Sequence, residues 1–125
     1  MIQDVFNGIA PIETKLSGLH PRLHLTPDTL VALRGKLSQA PWARHFARVR
    51  QLADTGRLTD AALVYQLTGE APYLAIARQQ IDQLLTSTAW PKRCPEDGFV
   101  WNDMLYSLAV GHDWLYDELE PAYRT

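Results

Sequence analysis

A single cysteine, Cys94, stands among 125 residues, which excludes an internal disulfide and leaves no second thiol for a zinc or redox pair. Long apolar runs are missing as well. No window approaches the roughly 18 consecutive apolar residues of a membrane-spanning helix. The opening residues, MIQDVFNGIAPIETKLSGLHPRL, hold no basic segment followed by an apolar stretch of the kind that directs export. The compartment stays open, since exported proteins also do without disulfides: periplasm and cytoplasm both fit. Charge of one sign is scarce, with 12 Lys and Arg against 14 Asp and Glu. Cations scattered in this way form no positive track for a nucleic-acid backbone, so nucleic acid is not an expected partner. Strand patterns of period two are absent, and the Asp97-Gly98 pair falls in a proline-rich loop rather than between two alternating apolar runs.

What is present is helical periodicity. Residues 1–25 mix Gly8, Pro11 and Gly18 with short apolar steps and read as an extended lead-in. Regular structure is expected from LTPDTLVALRGKL, where Thr26 is a good N-cap, Pro27 suits the first helical position and Asp28 complements the helix dipole. A second helix follows APWARHFARVRQLAD, with Trp42, Phe46, Val49 and Leu52 or Ala53 on one stripe and Arg44, Arg48 and Arg50 away from it. The third, AALVYQLTG, is expected to start from Thr59 or Asp60 and to close at Gly69; the fourth runs from about Ala71 to Thr86. STAWPKRCPEDGFV is the long loop that leads to a fifth helix, expected from Trp101 to Leu119 and ending before Pro121. The fold class is all-α, and apolar stripes broad enough to need neighbours on two sides favour antiparallel helical hairpins over a closed bundle.

Several stretches in this order, LHPRLHLTPDTLVALRGKL, PWARHFARV, DAALVYQLTGEAPYLAIARQQIDQLL and MLYSLAVGHDWLYDELEPAYR, resemble the N-terminal helical domain of the heparinase II/III-like polysaccharide lyases and their alginate-lyase relatives. The resemblance runs from about Leu19 to the end and is most distinctive in HPRL with the following TP, and in DWLYD. It implies an incomplete (α/α) toroid over residues 26–125, cut short at its C-terminus, since the family continues into further helices and β-sandwich domains. The activity implied is β-elimination on a uronic-acid polysaccharide. The family's catalytic segment, an asparagine-histidine stretch and a later tyrosine, has no counterpart in these residues, so no catalytic residue is assigned and the fragment alone is expected to be inactive. His112 stands where the family pattern calls for an aromatic residue.

The chemistry-bearing residues have competing readings. His112 shares a helical stripe with Leu105, Leu108, Leu115 and Leu119, and a histidine in that company reads as a hydrogen-bonded core residue. Trp114 and Tyr116 read as packing. Asp113 and Asp117, four apart, read as a solvated face instead of a carboxylate pair for glycosidic chemistry. His20 and His24 have an i, i+4 spacing, but Pro21 lies between them and no Glu adjoins either, so no metal site and no cofactor is expected. The candidate substrate-binding residues are Trp101, Asn102 and Arg93, grouped with Trp90 and Lys92 around the long loop and the start of the fifth helix. An aromatic face, an amide and a cation suit an anionic polysaccharide or oligosaccharide, and the helix N-terminus favours negative charge.

Two other functions fit parts of the chain. The stretch LTGEAPYLAIARQQIDQLL has the Gly, Tyr and Ala placement of a tetratricopeptide-like helical-repeat binding module, although only one copy is visible. A toroid glycoside hydrolase shares the architecture with different chemistry. For the chain itself, broad apolar faces on the third and fifth helices are expected to be exposed.

Overall fold

The computed structural model describes residues 18–87 and 98–124. The protein is all-α: among the described residues there are five α-helices and two 3-10 turns, and no strand. Helix α1 spans Pro27–Arg34 and opens on a complete capping box, in which the Thr26 hydroxyl accepts the Thr29 N–H and the Thr29 hydroxyl accepts the Thr26 N–H at 2.7 Å. Helix α2 spans Trp42–Asp54, α3 Leu58–Thr68, α4 Ala71–Leu85 and α5 Gly98–Trp114. The 3-10 turns Tyr116–Glu118 and Pro121–Tyr123 follow α5.

α3 is the hub. It packs against α1, α2, α4 and α5, as its sequence requires, because Leu58, Ala61, Ala62, Val64 and Leu67 are all buried and cover more than one face. The third helix therefore does not carry the exposed face anticipated for it. Small residues set its close neighbours: Ala53 on α2 and Ala77 on α4 are fully buried beside it. At Gly111 on α5, a Cβ would stand 2.9 Å from Leu58 Cγ. Gly69 closes α3 in the left-handed conformation at φ 73°, and its N–H bonds the Tyr65 carbonyl. One polar cluster ties α2 to α4. Arg50 pairs with both Glu70 carboxylate oxygens at 2.8 and 2.6 Å, lies over the Phe46 and Tyr73 rings, and Tyr73 donates to Asp54 at 3.0 Å.

Three boundaries differ from expectation: α5 begins at Gly98, so that residues 98–100, assigned to the long loop, belong to the helix. α3 begins at Leu58, with Arg57 in the cap position and no side-chain cap. Burial of Leu58 against α5 fixes the first turn, and Asp60 instead pairs with Arg57 at 3.1 Å. α5 stops at Trp114, not Leu119, and the chain turns through Tyr116–Glu118. That turn buries both Leu115 and Leu119. The buried face of α5 is accordingly Val110, Gly111, Asp113 and Trp114, while Leu105 and Tyr106 are about half exposed, at 47% and 52%.

Candidate functional site

The lead-in and α5 meet at one carboxylate. Asp113 is the sole buried charged residue among those described, at 4% exposure. Its Oδ2 accepts the backbone N–H groups of Arg22 and Leu23 at 2.7 and 2.8 Å. Its Oδ1 is 2.8 Å from His20 Nδ1 and 3.8 Å from Arg22 Nε. Next to it, Trp114 Nε1 donates to the Leu23 carbonyl at 2.7 Å, across 91 residues of chain. A buried carboxylate is tolerated only where donors surround it, and here backbone and side-chain groups from one short segment supply them. HPRL and DWLYD, the two distinctive segments of the sequence, are thus two halves of one interlock.

The reading of Asp113 and Asp117 as a shared solvated face is corrected by this arrangement. Asp117 is exposed and Asp113 is not, because the end of α5 turns its Asp113 side inward beneath the lead-in. His20 and His24 do not act as a pair either: His20 is engaged by Asp113, while His24, at φ 60°, places its ring beside Tyr106 with 5.8 Å between centroids.

Above the interlock lies an open groove of about 750 Å³ between the lead-in, α5 and the C-terminal turns. Its floor is apolar, formed by Leu85, Leu105, Leu108 and Ala109. Its walls carry His20, Arg22, His112, Tyr116 and Arg124. The walls are built from one another. His20 stacks on Tyr116 with centroids 3.8 Å apart and planes 14° from parallel, His112 meets the same ring edge-on at 5.7 Å, and the Arg124 guanidinium lies 5.5 Å from its centroid. His112 Nε2 is 2.6 Å from the Tyr123 carbonyl; Arg124 donates to the carbonyls of Leu119 and Asp117. Tyr123 donates to Asp82 on α4 at 2.6 Å, a bond that holds its phenol above the ordinary tyrosine range. His112 is therefore half-buried and hydrogen-bonded, as its stripe implied, yet it faces the groove and not the centre of the core.

Two guanidinium groups against one buried carboxylate make the groove wall cationic, above an apolar floor. Such a surface suits a carboxylate- or sulfate-bearing ligand with one apolar face. Among the described residues no group of three His, Cys, Asp or Glu converges on a possible metal position.

Of the residues singled out for substrate, Asn102 is exposed on the first half of α5 and takes no part in lining this groove. Arg93 and the side chain of Trp101 lie outside the described residues, as do Trp90 and Lys92. The residues that do converge, His20, Arg22, Tyr116 and Arg124, carried one legible signal. An extended HPRL segment leaves its N–H groups without helix partners and so needs an acceptor from elsewhere in the chain, which no local spacing identifies as Asp113. No helix among the described residues is long and apolar enough to cross a membrane. No family model, no curated protein and no solved structure matches the chain.

Proposed function

We propose that this chain is the amino-terminal helical part of a polysaccharide lyase that acts by β-elimination on a uronic-acid polymer, with α1 to α5 forming the first part of an (α/α) toroid. The observation that carries the reading is the interlock at Asp113. HPRL and DWLYD, on which the resemblance to heparinase II/III-like lyases chiefly rests, bind each other through four hydrogen bonds and border the cationic groove.

In this reading the chain contributes binding and no catalytic residue. Arg22 and Arg124 face the uronate carboxylates and the apolar floor takes the face of the sugar, while Asp113 fixes His20 and the Arg22 backbone and the His20–Tyr116 stack stiffens the wall. Asn102, with Trp101 and Arg93, would extend the contact toward the start of α5. Titration of the ¹⁵N-labelled chain with an oligouronate and with a neutral oligosaccharide of equal length tests this. The expected result is saturable, salt-sensitive shifts at Arg22, Tyr116 and Arg124 with the oligouronate alone. Equal shifts with the neutral sugar, or none with either, would remove the groove from saccharide binding. Asn102→Ala is expected to weaken the oligouronate without lowering stability; an unchanged affinity would remove Asn102 from the contact.

A further inference from the structure

The interlock leaves one acceptor over in the groove wall. The His20 side chain is 12% exposed and lines the groove, its Nδ1 lies 2.8 Å from Asp113 Oδ1, and its ring is held face to face on Tyr116. Asp113 also accepts the N–H groups of Arg22 and Leu23, so its oxygens act as acceptors and the imidazole nitrogen supplies the proton. A neutral imidazole that carries its proton on Nδ1 has a bare lone pair on Nε2. Among the described residues Nε2 has no hydrogen-bond partner, and it is not shut away from solvent either. Its edge of the ring opens on the groove.

The neighbouring groups are set differently. Arg22 and Arg124 can only donate. His112 is held in the opposite sense, because its Nε2 lies 2.6 Å from the Tyr123 carbonyl, which accepts, so that the proton of its neutral ring sits on Nε2. His20 and Arg22 meet the same Asp113 oxygen, at 2.8 and 3.8 Å, which sets the imidazole and the guanidinium side by side. A cation for a carboxylate therefore adjoins a fixed acceptor for a hydroxyl.

We infer that His20 is a specificity-determining residue of the groove, whose Nε2 accepts a free hydroxyl on the same sugar ring as the carboxylate that Arg22 holds. Resting on the uronate reading above, this role adds a discrimination to it. A ligand whose hydroxyls are alkylated or acylated has no proton for Nε2 and leaves the lone pair unsatisfied beneath it, so the groove selects unsubstituted uronates over O-substituted ones. Asp113 acts through His20 by fixing its tautomer and is a positioning residue.

The test is a long-range ¹H–¹⁵N spectrum of the labelled chain at about pH 8, above the ordinary imidazole range, recorded alone and with an oligouronate. Affinities for that oligouronate and for its O-methylated form accompany it. His20 is expected in the Nδ1–H form, with an Nε2 resonance that moves when the oligouronate is added. The O-methylated ligand is expected to bind roughly five- to tenfold more weakly, the worth of about one hydrogen bond. His20→Asn keeps an amide donor for Asp113 and removes the distant nitrogen; this variant is expected to bind the two ligands equally. Three results overturn the inference and leave the saccharide reading standing: His20 in the Nε2–H form, shifts at Arg22 and Arg124 with His20 Nε2 unmoved or His112 Nδ1 moving in its place, and a preference that survives in His20→Asn. No shift at Arg22 or Arg124 with either ligand overturns both.

Discussion

Asp113 has donors on both oxygens, and removing it strands two backbone N–H groups in a poorly hydrated place. Asp113→Ala is expected to cost about 2–6 kcal/mol, since an unsatisfied buried donor costs about 1–3 kcal/mol and two are created. Urea unfolding measures it; a midpoint shift equivalent to less than about 0.5 kcal/mol, typical of a neutral surface change, would show that the lead-in is held by something else. A different behaviour is expected at Glu70. Its carboxyl is held below the ordinary 4.5 by the hydrogen bond from Arg50. A carboxyl depressed in the folded state adds stability above its unfolded value and loses it as the pH falls through the depressed one. Unfolding free energy is therefore expected to decline more steeply below about pH 4.5 in the parent chain than in Glu70→Gln. The effect is small because both partners are more than a third exposed. Parallel pH profiles would contradict the pairing.

At the scale of the element, helix contacts turn on two glycines. Gly111→Ala would drive a methyl group to 2.9 Å from Leu58 Cγ, an atom close to the α3 backbone that has little room to yield. Overpacking of about 1–3 kcal/mol exceeds the roughly 1 kcal/mol that alanine gains over glycine in a helix. A net loss is expected, relieved when Leu58→Ala is added; a stabilised Gly111→Ala would mean that α3 and α5 sit farther apart. Gly69→Ala is expected to cost about 1 kcal/mol, because only its φ of 73° and not its space resists a side chain. These elements also show what the sequence carries. Thr26, Pro27 and Gly69 mark helix ends by local chemistry, and those ends were legible. The end of α5 was not, because Leu105, Leu108, Leu115 and Leu119 continue a helical spacing, and only tertiary burial of Leu115 and Leu119 makes the chain turn. The same ambiguity hid the site. Reading the stripe through His112 and Leu105 placed Asp113 on the solvent side, whereas the packed face runs through Val110, Gly111 and Trp114. The contact between HPRL and Asp113 spans 91 residues, a separation that no local pattern reports.

Among the described residues, helices surround α3, whereas α5 packs on α3 and α4. Leu85 on α4 and Leu105 on α5, both in the groove floor, are about half exposed, as is Tyr106 beside His24. Hydrophobic-dye fluorescence is expected to fall in Leu105→Gln while the unfolding free energy changes by no more than about 0.5 kcal/mol. Unaltered dye binding would locate the sticky surface elsewhere. The proposed role in polysaccharide cleavage meets its most direct test in one assay. The full product of the source reading frame is incubated with a polyuronate and the new chain ends are examined. An unsaturated uronate at each new non-reducing end is the predicted result, since elimination leaves a double bond where hydrolysis adds water. Saturated ends, or an uncleaved polymer, would contradict it.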